Sequence, residues 1–297
     1  MTFQTPSIIL ILTVAINLFG SLSNAEEPRE GGLTGTGLIG VLNVAQEIDV
    51  AGQNLTFPQD LVVRSPLGPL RATELSSGDI VAVGLATRDT GVQVEDARQL
   101  FAIIGPVATV SDNNLSIMGT SINVAELPQL DLTSGDWVAV SGFWRKDEVF
   151  ATGLKAIPPQ AEAQIFGTLA NKTADRIGGT SISSVGTQTY LQFDAVQVFG
   201  QPVGEQLVAT RIVSGLFDRP VRRILAQGFL SSPNDLGDYT VLGTGFRART
   251  DRPEMIDSHQ LQLHCSENGA LLAKEAIGLT VDQAVSLQNC LHRNPHN

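Results

Sequence analysis

Four short glycine-centred motifs recur at near-constant spacing along the chain, and this periodicity constrains the fold more than any other feature. They are Ile39-Gly40-Val41-Leu42, Ile104-Gly105-Pro106-Val107, Phe166-Gly167-Thr168-Leu169 and Gln227-Gly228-Phe229-Leu230, with glycines 65, 62 and 61 residues apart. A second series follows each at an offset of 12 to 15 residues: Val50-Ala51-Gly52, Ile117-Met118-Gly119-Thr120, Ile177-Gly178-Gly179-Thr180 and Val241-Leu242-Gly243-Thr244. Ser77-Gly78-Asp79-Ile80-Val81-Ala82-Val83 returns as Ser134-Gly135-Asp136-Trp137-Val138-Ala139-Val140, while the later units keep only its apolar alternation near 193–198 and 260–263. A closing element spans 92–97, 149–154, 207–212 and 271–276.

Each element is short, rich in β-branched residues and bounded by Gly, Asp, Asn, Ser or Pro, which is how strands and turns are written. Helical periodicity is almost absent. Units of about 60 residues predict an all-β protein of tandem small antiparallel OB-like β-barrels with neighbours packed, each with a modest core of its own. One continuous sandwich or β-solenoid is the alternative. The recurring glycines belong where strands bulge or turn corners. The boundaries read as a Gly-rich linker over 26–38 and barrels over 39–103, 104–160, 161–225 and 226–278. Residues 279–297 form a C-terminal helix and tail, because Thr280-Val281-Asp282-Gln283 resembles a capping box and Val281, Ala284, Val285, Leu287 and Leu291 supply an apolar face. Such a helix would cap the exposed end of the array.

Residues 1–25 read as a secretory signal peptide. The apolar stretch 8–19, interrupted only by Thr13 and Asn17, is too short to span a bilayer, and Ser23 and Ala25 fit a small-x-small cleavage site before Glu26-Glu27. The expected location is therefore periplasmic or extracellular, with no integral membrane span in the mature chain. An oxidising compartment predicts a disulfide between Cys265 and Cys290, which closes a loop of 24 intervening residues. Chain entropy assigns such a loop about 3 kcal/mol. His259, His264 and His292 lie nearby, but the spacing does not match a structural zinc motif, so no metal is expected.

The glycine-rich stretch Gly31-Gly32-Leu33-Thr34-Gly35-Thr36-Gly37-Leu38-Ile39-Gly40 resembles the opening of the bacterial domain of unknown function DUF 5666. Residues 77–83, 104–107 and 135–142 also match its recurring phrases, so the resemblance covers roughly 31–158 and decays beyond. It implies an exported bacterial β-barrel repeat protein and carries no catalytic residues with it.

Motifs that bear chemistry are sparse. Gly35-Thr36-Gly37-Leu38-Ile39-Gly40 has the form GxGxxG but opens a strand rather than a helix, so no dinucleotide cofactor is expected. No phosphate loop, GxSxG elbow or HExxH is present. Adjacent acids such as Asp147-Glu148 and Glu95-Asp96 point to opposite faces of a strand and suit solvated turns. The net charge of -11 is uneven: residues 166–225 carry +2, with Arg211, Arg219, Arg222 and Arg223 forming a candidate anion patch or ion pairs to acidic neighbours. Acidity and export argue against nucleic-acid binding. Trp137, Phe143, Trp144 and Arg145 are the remaining ligand-binding candidates, with packing between units or in the core as the first reading of the aromatics and a sugar- or peptide-binding platform as the other. Trp137 and Trp144 are an odd interval apart and face opposite sides of an unbroken strand, unless Gly142 bulges. The expectation is a non-enzymatic envelope protein that binds an envelope protein or glycan, or acts as a scaffold. A glycan hydrolase and an anion or small-ligand sensor are the alternatives.

Overall fold

The computed structural model describes residues 35–45, 47–88, 91–169, 176–184, 195–218, 221, 223–233, 235, 238–249 and 257–267. The segments expected to form a signal peptide and a C-terminal helix lie outside these residues, as do Arg219, Arg222 and Cys290. Strands dominate throughout. Among the described residues no helix is long and apolar enough to cross a membrane.

The second barrel shows the design most completely. It comprises β8 (Ile103–Val110), β9 (Asn114–Ile117), β10 (Thr120–Asn123), β11 (Trp137–Arg145) and β12 (Glu148–Ile157). The pairing runs β8-β9-β10-β12-β11 and returns to β8, with only β10 and β12 parallel. Five strands closed in this order form an OB-like barrel. The first barrel uses the same order. Its strands are β1 (Thr36–Val44), β2 (Ile48–Val50), β3 (Gln53–Asn54), β6 (Ile80–Arg88) and β7 (Gly91–Leu100), and a parallel bridge from Thr56 to Gln93 completes the circuit. An insertion adds β4 (Val62–Arg64), β5 (Leu70–Arg71) and a short 3-10 turn, Ala72–Glu74. The third unit has β13 (Ala163–Thr168), β14 (Arg176–Ile177), β15 (Thr180–Ser184), β16 (Ala195–Val203) and β17 (Gln206–Ser214), ordered β13-β16-β17-β15-β14. In the fourth, β18 (Arg223–Gly228) pairs with β21 (Gln262–Glu267), and a bridge from Leu230 to Val241 connects to the hairpin of β19 (Asp238–Val241) and β20 (Phe246–Arg249).

The long hairpin of each of the first three units carries one irregularity at an equivalent place. At Gly84, Gly142 and Gly200 the ladder register shifts and skips Glu95, Thr152 and Thr210 of the opposite strand. The bulge suspected at Gly142 thus belongs to β12, and β11 itself runs unbroken. Gly142 and Gly200 are required there because a Cβ would overlap the carbonyl oxygens of Phe150 and Val208.

Neighbours do not simply pack in a row with separate cores. The second and third units join through antiparallel β8 and β13, with Ile103 opposite Ile165, and one apolar cluster fills both. The first barrel bypasses its neighbours to pair with the fourth unit, β1 lying parallel to β18. Leu38 and Leu225 are opposite each other and face the core of the first barrel, while Ile39 and Ala226 face a third cluster that includes Phe143 and Phe166. A sheet buried on both faces explains why β1 reads as a nearly continuous apolar run rather than an alternating one.

Candidate functional site

The aromatic candidates of β11 are structural. Trp144 is 5 % exposed, and its Nε1 donates to the carbonyl of Phe166 at 2.7 Å, which removes the cost of burying the indole N–H. Its ring fills space left open by Gly178 of the third unit and Gly243 of the fourth, where a Cβ would overlap it. Phe143, equally buried, faces the cluster shared with the first and fourth units. Neither is placed to act as an exposed binding platform. Trp137 is half-buried and packs with Phe101, Ile104, Ala139 and Ile157. Trp137 also touches the apolar cluster that holds Trp144, so the odd interval along β11 separates the two rings only in part.

The cationic candidates are dispersed. Arg145 pairs with Glu148, with Nε to Oε1 at 2.8 Å, and its guanidinium lies 5.7 and 5.9 Å from the rings of Phe150 and Phe229. Those rings meet edge to face at 5.9 Å, tying the second unit to the fourth. Arg211 covers Phe199 at 3.7 Å across the β16–β17 ladder. Arg223 is half-buried, and its backbone N–H donates to Gly35 at 3.0 Å at the start of the β1–β18 seam. Among the described residues, these arginines do not converge on one site.

The two Ser-Gly-Asp motifs are turns that pin barrels shut. The N–H of Thr133 donates to Asp136 Oδ2 at 2.7 Å and its hydroxyl at 2.9 Å, and these bonds hold the exposed Asp136 carboxyl below the usual carboxylate range. In the first barrel the N–H of Ser76 donates to Asp79 Oδ2 at 2.9 Å. Gly78 and Gly135 adopt φ of +91° and +96°, which a side chain would disfavour. Each turn also exchanges backbone hydrogen bonds of 2.8 to 2.9 Å with the first strand of its own barrel, at Leu42 or at Val107. Only Asp79 has a further partner. It is 1 % exposed, and Lys155 Nζ lies 2.8 Å from its Oδ1, while Thr152, the unpaired residue of the β12 bulge, donates its hydroxyl to Gly78 O at 2.7 Å.

A charged cluster that sequence reasoning missed gathers Arg64 of β4, Asp96 and Arg98 of β7, and Asp218 of the segment after β17. Arg64 Nη1 and Arg98 Nη2 both contact Asp218 Oδ1, the latter at 3.5 Å, and Arg98 Nη1 donates to Gly215 O at 3.0 Å. Burial, then the charge of Arg64, holds the Arg98 guanidinium below its ordinary range; Asp218 and Asp96 oppose this. With Arg64 and Asp218 separated by 154 positions in sequence, no local pattern announces the pair.

His264 of β21 is the most deeply buried ionisable side chain described. It lies opposite Ala226, is 0 % exposed, and neither ring nitrogen makes a hydrogen bond. Burial pushes its pKa down to about 4, against a smaller opposing effect of the Gly228 backbone. Among the described residues no three His, Cys, Asp or Glu side chains gather as metal ligands would. No family model, curated protein or solved structure matches the chain.

Proposed function

We propose that the protein is an exported, non-enzymatic component of a bacterial cell envelope, a scaffold or binding protein whose barrels are locked into one body. One observation carries this reading: polar side chains, several of them buried, join barrels to one another. Asp79 reaches Lys155 across the first and second units. Thr120 meets Thr180 at 2.8 Å across the second and third. The Trp144 indole reaches Phe166, and Arg64 and Arg98 grip Asp218. Chemistry distributed in this way favours rigidity over turnover. Equivalent residues that face one another also support an origin by duplication of a single barrel unit. The cleavage pattern at Ser23 and Ala25 and the resemblance to DUF 5666 support export from a bacterium.

The experiment is native mass spectrometry of mature protein purified from its own envelope, recorded before and after denaturation and without reductant. A stoichiometric extra mass identifies a binding module, and a self-oligomer favours a scaffold. A mass two hydrogens light supports the Cys265–Cys290 disulfide, and two free thiols remove it. Turnover of an envelope-glycan panel, abolished by a single carboxylate substitution, overturns the reading.

A further inference from the structure

Asp218 is unusual among the barrel-joining groups because it is a carboxylate delivered by a connecting segment into a fork of two arginines. Arg64 Nη1 and Arg98 Nη2 converge on one oxygen, Oδ1, the pattern in which guanidinium groups take hold of oxyanions. Arg64 Nη2 is buried and makes no hydrogen bond, so the fork retains an unused donor, 4.0 Å from Asp96 Oδ1. The Asp218 side chain is 43 % exposed and that of Arg64 38 %, against 17 % for Arg98, so the carboxylate covers Arg98 while Arg64 leaves the fork open to an anion from solvent.

The connecting segment does not depend on Asp218 to stay in place. Arg98 Nη1 holds the carbonyl of Gly215, Leu216 and Val221 are buried in the central cluster, and the Phe217 ring occupies the space where Gly37 lacks a side chain. Rotation of one aspartate side chain would open the fork without moving the chain. Among the described residues, Arg64 and Arg98 would then keep Asp96 as their acidic neighbour, and the three groups sum to a local charge of +1.

We propose that Arg64 and Arg98 form an oxyanion-binding site on the first barrel, that Asp218 occupies it as an internal ligand, and that an external carboxylate or sulfate group displaces Asp218. This stands independently of the scaffold reading. The oxyanion comes from one of two sources, a free anion of the medium or an acidic glycan. The chemistry is shared, and the affinities separate the sources.

The test uses the full mature chain and calorimetric titration with sodium sulfate and with a galacturonate oligomer at constant ionic strength. An internal ligand lowers apparent affinity by the fraction of time it occupies the site, so Asp218→Asn is expected to bind about tenfold tighter than wild type. Adding Arg64→Gln to that variant is expected to abolish the gain. Equal affinity of Asp218→Asn for sulfate and oligomer identifies a free anion, and tighter binding of the oligomer identifies an acidic glycan. Equal affinity of wild type and Asp218→Asn for both probes overturns the proposal. If Asp218→Asn does not fold, Arg64→Gln in the otherwise wild-type chain decides: it should abolish binding of both probes, and unchanged affinity overturns the proposal.

Discussion

The inner pair of units and the outer pair are fastened by different means. The second and third units meet through equivalent positions: Ile103 opposite Ile165 in the ladder, Thr120 against Thr180, and Gly119 against Gly179, where a Cβ on either would press on the other's carbonyl. A contact that uses the same patch twice is the internal counterpart of a twofold dimer interface, and every favourable feature in it counts on both sides. The first barrel and the fourth unit meet through a parallel ladder of four residue pairs, which lacks that reciprocity and is slightly weaker per residue. The inner ladder has two residue pairs, and the longer outer seam carries further fastenings: the Arg64–Arg98–Asp218 cluster, Phe217 over Gly37, and Ile39 and Ala226 packed into a cluster with residues of the inner pair.

The comparison breaks most directly at Trp144, which belongs to the inner pair yet supports the outer. Trp144→Ala removes a buried ring and its hydrogen bond to Phe166, and is expected to cost about 3–5 kcal/mol. Chemical denaturation measures this. Because the ring also abuts Gly243, the fourth unit should lose hydrogen-exchange protection with the third. Loss confined to the inner pair would show that the two pairs are independent.

Acid sharpens the comparison by loosening one pair first. The pKa of His264 is pushed to about 4 in the folded chain against an ordinary 6.5, so between these values the unfolded chain binds the extra proton. The stabilisation is complete above pH 6.5, declines as pH falls toward 4 and changes no further below. Its full extent is about 3 kcal/mol, an order-of-magnitude figure. Asp136, in the inner pair, has a depressed carboxyl whose contribution persists until pH falls below the usual carboxylate range. Hydrogen exchange between pH 6.5 and 4 should therefore show opening of β18 and β21 while β8 and β13 stay protected. His264→Leu should abolish the difference. Equal acid sensitivity of both pairs in that window would count against it.

A smaller effect tests reciprocity at the inner seam. A Cβ at Gly179 overlaps the backbone carbonyl of Gly119, and a backbone cannot yield as a flexible side chain does. Gly179→Ala should cost about 1–3 kcal/mol, and Gly119→Ala should cost no less, since that glycine meets the Gly179 carbonyl and also holds φ +81°, where a side chain is strained. Thermal unfolding of both variants checks this. A Gly119→Ala cost well below that of Gly179→Ala would show that the seam is not reciprocal in energy.

What could be read from the sequence is what chain neighbours determine. The Ser-Gly-Asp turns are complete within four residues, with the carboxylate returning to the N–H three positions earlier, and were therefore visible as motifs. The all-β class followed from alternation and turn chemistry over similarly short windows. The parallel pairing of Thr36 with Arg223 was invisible, because any apolar strand offers the same ladder and nothing local selects a partner so distant. For the same reason Arg64, Arg98 and Asp218 carried no signal, while the arginines dense in sequence near position 220 drew attention. Trp144 drew attention as an aromatic candidate, yet what surrounds it comes from Gly167, Gly178 and Gly243, which only the folded chain assembles.

The smallest expected effect falls on the joint between the pairs. Lys155 of the inner pair reaches Asp79 of the outer, and the two ends differ sharply, with the lysine side chain 36 % exposed and the aspartate 1 %. Breaking a fully buried pair would strand a charge, but water reaches this one from the lysine side, which reduces the loss in Lys155→Met to about 1 kcal/mol. Asp79 would keep the N–H of Ser76, and Thr152 would keep its bond to Gly78, so the joint should loosen rather than part. Screening supplies the discriminating measurement. If the attraction is electrostatic, the stability difference between wild type and Lys155→Met should shrink as salt rises toward 1 M, where the Debye length is about 3 Å. A difference indifferent to salt would mean that the lysine stem, packed over the Gly78 turn, holds the first barrel to the second by contact rather than by charge.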